Sequence, residues 1–148
     1  QAVMDDAYRY DVFIGVAAVA DWYVSNYSDQ KLKKQDASGL SLEFAPNPDI
    51  LAEVAALPDG PWCVGFAAET NNLSEYAQSK RLRKKIPLIV GNLAQDTMSS
   101  DSTTMILFDD QGEHPLPKLS KDEAAGHLIQ QIALRLAKFQ QETDNLDS

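Results

Sequence analysis

A single cysteine, Cys63, in 148 residues excludes an internal disulfide framework. It sits in the apolar run WCVGFAA, which points to a small buried side chain in a reducing compartment rather than to a reactive thiol. Apolar runs reach only about ten residues, short of the ~18 a spanning helix needs, and no signal peptide opens the sequence. The expectation is a cytoplasmic domain without membrane contact. Basic charge is also scarce: 13 Lys and Arg against 22 Asp and Glu give a net charge of −9. Nonspecific binding to DNA or RNA needs many cations to neutralise phosphates, so nucleic acid is excluded as a partner. The two histidines, His114 and His127, stand far apart with no metal-ligand spacing to Cys63, and no metal role is assigned to them. Neither G-x-G-x-x-G nor a Walker A sequence occurs, so ordinary dinucleotide binding and P-loop chemistry are unsupported. The length suits one domain, able to bury roughly 68–70% of its unfolded surface.

What basic charge there is comes concentrated. Eight of the 13 cations fall in two short clusters, Lys31, Lys33 and Lys34, then Lys80, Arg81, Arg83, Lys84 and Lys85. Two basic patches on an acidic chain suit a small polyanion such as a nucleoside triphosphate, if folding brings them together. If it does not, they are solvated faces. Asp11–Ala20 (DVFIGVAAVA) reads as an interior parallel strand covered on both faces, with Asp21 at its carboxyl end, where open α/β sheets collect ligands. The bland alternative is a capping aspartate followed by a basic loop.

In chain order, residues 1–10 read as the end of a helix, Trp22–Gln30 as loop, and Leu40–Phe44 as a strand exposed on one face. Asn47-Pro48-Asp49 predicts a helix start, Asn47 as N-cap and Pro48 in the first turn, with a stop at Pro58-Asp59-Gly60. Pro61–Ala68 is a second buried strand ending in small residues and Glu69, where a ligand ring can approach the backbone. Phe66 there can pack on a base, although an aromatic in such a run is more often core. The helix Leu73–Lys85 should bury Leu73, Tyr76, Ala77 and Leu82 and stack Lys80 and Lys84 on another face. A bound polyanion would turn their mutual repulsion into attraction; a helix C-terminus, which favours cations, explains them without a ligand. Ile86–Asn92 is a third buried strand. Thr104–Asp109 and His114–Lys118 form a hairpin across Asp109-Asp110-Gln111-Gly112. Ser120-Lys121-Asp122-Glu123 is a capping box opening a last helix with the stripe Leu128, Ile129, Ile132, Leu136 and Phe139. The order indicates an α/β fold, a doubly wound, mostly parallel Rossmann-like sheet with a carboxyl-terminal hairpin and helix. The domain spans residues 1–139, and residues 140–148 read as a polar tail.

Six strings in order and register, GVAAVADW (Gly15–Trp22), KLKKQ (Lys31–Gln35), NPDIL (Asn47–Leu51), VGFAAET (Val64–Thr70), KRLRKK (Lys80–Lys85) and SKDE (Ser120–Glu123), resemble bacterial phosphopantothenate–cysteine ligase. The resemblance runs from Ala2 to about Phe139. It implies a multifunctional enzyme of coenzyme A biosynthesis: a homodimeric ligase, often fused to a flavin-dependent decarboxylase domain, that uses CTP with Mg2+ to join 4′-phosphopantothenate to cysteine through an acyl-cytidylate. It further implies Lys31, first of the K-x-K-K lysines, at the reacting centre and Asp21 on the nucleotide. Gly15, Val16, Ala17, Pro48, Asp49, Ile50 and Leu51 would frame the cytidine with Phe66 beside it, and Lys80 and Lys84 would hold phosphates. Lys33–Gly39 occupies the place of the family's flap over the site.

The chain departs from the family in three places. Asn92-Leu93 replaces the usual Asn-Asp, and the later S-D motif appears only as Ser100-Asp101 in a serine- and threonine-rich stretch. The family's amino-terminal strand, glycine-rich turn and asparagine have no counterpart here. The alternative is therefore an isolated nucleotide-binding or structural fragment without catalysis of its own.

Overall fold

Successive side chains of a β-strand point to opposite faces, and strand β4 (Trp62–Glu69) is apolar on both. Cys63 and Ala67 join one core cluster with Ala7, Val54, Leu73, Ala77 and Phe108. Trp62 and Val64 join another with Leu88, Val90, Leu107, Leu128 and Ile132. A strand with two apolar faces has to be covered twice, and the result is a three-layer α/β/α arrangement. The computed structural model describes residues 2–30, 41–69, 72–93 and 101–146.

The main sheet has five strands in the order β1 (Val12–Gly15), β4, β5 (Leu88–Leu93), β7 (Met105–Asp109), β8 (Gly112–Pro115). The first three are parallel, and β7 and β8 close the far side antiparallel. Two small ladders stand apart, β2 (Trp22–Val24) with β3 (Phe44–Pro46) and β6 (Ser102–Thr103) with β9 (Leu119–Ser120). Helices α1 (Ala2–Asp6), α2 (Ile50–Ala55) and α3 (Leu73–Lys84) cover one face, and α4 (Lys121–Leu146) covers the other. Close approach on the α2–α3 side depends on glycine. A Cβ at Gly65 would lie 2.8 Å from Ile86 Cδ1 and 2.9 Å from Leu51 Cδ2, so a side chain there would push α2 off the sheet.

The doubly wound, largely parallel fold expected from the sequence is present, with several local differences. The first strand is four residues long, not ten, and lies at the sheet margin with half-buried side chains rather than inside it. Beyond Gly15 the chain leaves the ladder, and Val16 (62% exposed) and Val19 (55%) face solvent. Part of the expected loop, Trp22–Val24, is instead strand β2, whose partner β3 starts where the expected strand 40–44 was to end. Residue 40 itself lies outside the described residues, as do residues 94–100.

The helix faces also differ from expectation. In α3, Leu73 and Ala77 are buried, but Tyr76 (55%) and Leu82 (64%) are exposed. Leu73 and Ala77 share one stripe with Lys80 and Lys84, so the two lysines lie on the packed face of α3 and not on another face as expected. In α4, Ala124, Leu128 and Ile132 form the buried line, while Ile129 and Phe139 project outward. The capping box stands as read: the Glu123 amide donates to Ser120 Oγ at 3.3 Å and the Ser120 amide to Glu123 Oε2 at 3.1 Å. From there the helix continues through much of the polar segment after Phe139, to Leu146. The hairpin forms at the expected turn, with its second strand two residues earlier than the expected 114–118.

Candidate functional site

In an open parallel sheet the ligand edge is the carboxyl ends of the strands. Strand β1 ends at Gly15, which pairs with Gly65, and β4 runs on through Phe66, Ala67 and Ala68. Gly65 and Ala67 are buried on the α2–α3 face, where their small size lets the helices pack close to the backbone. Leu51 of α2 fills the space beside them, its Cδ1 standing 3.4 Å from where a Cβ of Gly15 would be. Gly15, Gly65 and Leu51 thus form one packed contact at the point where β1 hands the chain on.

The start of α2 is built differently from the expectation. Asp49, not Asn47, is the N-cap: its Oδ1 accepts the Ala52 amide at 3.1 Å. The Asn47 side chain is engaged elsewhere, donating through Nδ2 to the Ala20 carbonyl at 2.8 Å, and its amide donates to the Asp21 carbonyl at 2.8 Å. Asn47 therefore ties the exposed segment after β1 to the turn before α2, bringing the backbones of Asp21 and Pro48 together. The Asp21 side chain, Val16, Ala17 and Pro48 are all exposed along this seam, and Ile50 is half-buried.

Lys80 and Lys84 enter from α3. The Lys80 ammonium donates to the Phe66 carbonyl at 2.8 Å, reaching the backbone of β4. Lys84 forms an ion pair with Asp49 Oδ2. Lys84 keeps 11% of its side chain exposed, against 47% for Asp49. The i, i+4 repulsion between the two lysines is relieved because each has its own acceptor. Burial works to raise the Asp49 pKa, but the Lys84 hydrogen bond, the Ala52 amide and the charges of Lys84 and Arg83 hold it below the usual carboxylate range.

The candidate residues therefore divide. Asp49 and Lys84 meet directly, Lys80 reaches the backbone of Phe66, Gly15 packs on Leu51, and Asp21 is linked to the same turn through Asn47. Lys31, with Lys33 and Lys34, lies outside the described residues. The Phe66 ring packs with the cluster on the α4 side of the sheet, opposite the lysines. Strand alternation from Trp62 and Val64 was the signal for that placement. Cys63 is buried beside Pro61, whose carbonyl accepts its thiol at 3.3 Å, and burial pushes that thiol up to about 11, which removes it as a nucleophile at neutral pH.

A second constellation escaped the sequence reading. Asp109, at the end of β7, is 8% exposed and takes His114 Nε2 at 2.8 Å and the Gln111 amide at 2.9 Å on Oδ1, and Arg135 Nε at 2.9 Å on Oδ2. Arg135 in turn donates to the carbonyl and Oε1 of Gln131. The four-residue turn Asp109–Gly112 followed by His114 was the available signal. Two hollows, about 310 and 770 Å³, open around Asp59–Trp62 at the amino end of β4. None of the candidate residues lines either one. The strand-end chemistry, with its two lysines, is the stronger candidate for a ligand site than these open clefts.

The family model described as DNA/pantothenate metabolism flavoprotein C-terminal domain matches residues 1–136. The chain is 43% identical over 136 residues to the coenzyme A biosynthesis bifunctional protein CoaBC of Vibrio cholerae, covering 86% of this chain and 34% of that protein. It is 44% identical over 134 residues to CoaBC of Escherichia coli, covering 86% of this chain and 33% of that one. The chain thus spans about a third of the length of these curated relatives. Among solved structures, the C-terminal domain of a CoaBC protein superposes with a TM-score of 0.71 at 29% identity, over 93% of this chain and 60% of that chain. A Cab2 variant in complex with phosphopantothenate-cysteine superposes with a TM-score of 0.77 over 97% of this chain and 51% of that chain. At 20% identity, the latter shows the fold alone.

Proposed function

The chain belongs to the DNA/pantothenate metabolism flavoprotein C-terminal domain family, and from that premise we propose that it supplies the nucleotide-binding part of a CTP-dependent ligase that joins 4′-phosphopantothenate to cysteine. Two similarities support the reading: the curated relatives are named as coenzyme A biosynthesis proteins, and a structural neighbour holds phosphopantothenate-cysteine. The observation that carries it is the placement of two lysines at one strand end, Lys84 against the first turn of α2 and Lys80 on the β4 backbone.

In the first step the carboxylate of 4′-phosphopantothenate attacks the α-phosphorus of CTP, forming the acyl-cytidylate as the bond to the pyrophosphate leaving group breaks. In the second the cysteine amine attacks the acyl carbon, loses a proton and expels CMP. Both steps gather negative charge on transferred oxygens, which fixed cations stabilise. Lys31 acts at the reacting centre, Lys80 and Lys84 hold phosphates, and Asp21 contacts the nucleotide. Gly15, Val16, Ala17 and Pro48–Leu51 frame the cytidine. Phe66 meets this face through its carbonyl, which takes Lys80, while its ring lies on the far side of β4.

Among the described residues no three His, Cys, Asp or Glu side chains gather into a group able to hold a metal ion. Magnesium accompanies CTP as the counter-ion of its phosphates, a mode of binding that takes only one or two protein carboxylates. The working enzyme is a homodimer in the cytoplasm, fused to a flavin-dependent decarboxylase domain. Among the described residues no helix is long and apolar enough to cross a membrane. For these 148 residues in isolation, nucleotide binding without turnover is the second reading, favoured by coverage of only a third of the relatives' length.

The test is release of pyrophosphate from CTP with phosphopantothenate, measured on the full-length protein. Turnover is expected there, and Lys31→Gln should lower it by about 10²- to 10³-fold with folding intact. Normal turnover in that variant would remove Lys31 from the reacting centre, and a full-length protein that binds CTP yet releases no pyrophosphate would remove the ligase reading.

A further inference from the structure

We propose that the carboxylate of Asp49 is the resident anion of the Lys84 position, and that polyphosphate binding at this site is an exchange in which a phosphate oxygen replaces Asp49 Oδ2 on the Lys84 ammonium. The inference rests on the nucleotide reading above and deepens it. Lys84 is the more buried member of the pair, its side chain 11% exposed, and a charge on a largely desolvated side chain favours an anionic partner. Asp49 provides one from the solvent side, with 47% of its own side chain exposed. Its two oxygens have separate tasks: Oδ1 caps α2 through the Ala52 amide, and Oδ2 takes the lysine.

That division makes the exchange inexpensive. When Oδ2 gives up the lysine it turns to water, while Oδ1 keeps the helix capped and the turn in place. An exposed carboxylate loses little on release, because the water it regains offsets most of the Coulomb attraction. The ammonium, which has no comparable access to water, keeps an anion throughout. Lys80, donating to the Phe66 carbonyl from the preceding turn of α3, keeps that one bond during the exchange while its charge remains available to the phosphates. Asp49 is in this account a competitor for Lys84, not a ligand of the phosphate, and it sets how much charge an incoming anion has to bring.

Asparagine at 49 separates the two tasks, since its side-chain oxygen still accepts the Ala52 amide while its charge is gone; Asp49→Ser preserves the cap in the same way. Binding of inorganic tripolyphosphate, which has no base to contribute, and of CTP would be measured by calorimetry on the full-length protein. The expected result is about fivefold tighter binding of both in Asp49→Asn and in Asp49→Ser, the size of a partly exposed ion pair released from competition. Adding Lys84→Gln should abolish the gain. Unchanged or weaker binding in both cap-preserving variants overturns the exchange, and so does a gain that survives Lys84→Gln, which would be a general effect of removing negative charge. A wild-type protein that binds neither ligand fails the nucleotide reading itself, a result distinct from a wild type that binds while the variants show no gain.

Discussion

Among the ion-paired carboxylates of the described residues, Asp109 and Asp49 are arranged in opposite senses. At Asp109 the carboxylate is the buried member, 11% exposed in its side chain, with Arg135 and His114 closing on it from two directions. At Asp49 the cation is buried and the carboxylate faces water. Burial decides which partner can leave. Removing Asp109 from Arg135 and His114 would strand a desolvated charge, so this group works as a fixed clamp between the β7–β8 hairpin and α4. Asp49 can swing into solvent without that penalty, so the same chemistry becomes exchangeable.

The largest effect expected from this contrast is at the clamp. Asp109→Ala should destabilise the folded chain by about 3 kcal/mol in denaturant unfolding, because Arg135, 18% exposed, is left without its counter-charge. A loss below about 1 kcal/mol would place Asp109 in the exchangeable class with Asp49.

Acid sharpens the same comparison. Burial tends to raise the Asp109 pKa, but hydrogen bonds from His114, the Gln111 amide and Arg135 outweigh it and hold the group below the usual carboxylate range. A group whose folded pKa is depressed contributes stability above its unfolded value and loses it as pH falls through the folded one. Unfolding free energy should therefore decline below about pH 4, and Asp109→Asn should flatten that decline more than Asp49→Asn does. Equal flattening by the two variants would erase the distinction between them.

Much of the clamp's scaffold was legible in the sequence, and its chemistry was not. Strands β4 and β5 read clearly because unbroken apolar runs have to be buried on both faces. The turn Asp109–Gly112 and the Ser120–Glu123 box are local signals with local causes. The Asp109 contacts join residues up to 26 apart, and no spacing rule connects Arg135 on a helix to the end of a strand. The site divides in the same way. The stacking of Lys80 and Lys84 follows from helical period, but the Lys84 partner lies 35 positions away. Asn47 and Asp49 are both good caps, and the choice between them was settled by the Ala20 carbonyl, which engages the Asn47 amide group from 27 residues upstream. Strand β1 ended early for a related reason: an alanine-rich apolar run carries no mark showing where its sheet neighbour stops.

A smaller effect separates capping from charge at Asp49. Asp49→Asn leaves the Lys84 side chain, 11% exposed, without its anion and should lower stability by about 1 kcal/mol, whereas Asp49→Ala also removes the acceptor of the Ala52 amide and should lower it by about 2 kcal/mol. If both variants lose stability equally in thermal or denaturant unfolding, the ion pair and not the cap is what holds the start of α2, and Asp49 moves toward the clamp's side of the comparison.

The smallest effect concerns the residue next to the exchangeable lysine. Lys85 caps α3 with φ 55° and ψ 40°, a left-handed conformation that crowds a Cβ and suits glycine. Its amide donates to the carbonyls of Arg81 and Leu82, so the backbone there closes the helix whatever the side chain is. Lys85→Gly relieves the crowding but gives the unfolded chain more freedom, and the two nearly cancel, leaving a gain of about 0.5 kcal/mol in unfolding free energy. Its side chain lines the hollow at the amino end of β4 and not the strand-end site, so tripolyphosphate affinity should stay at the wild-type value. A parallel fall in affinity would mean that Lys85 contributes to the same anion site as Lys84. The basic run from Lys80 to Lys85 would then act as one diffuse patch, and the exchange of one carboxylate at one buried ammonium would lose its basis.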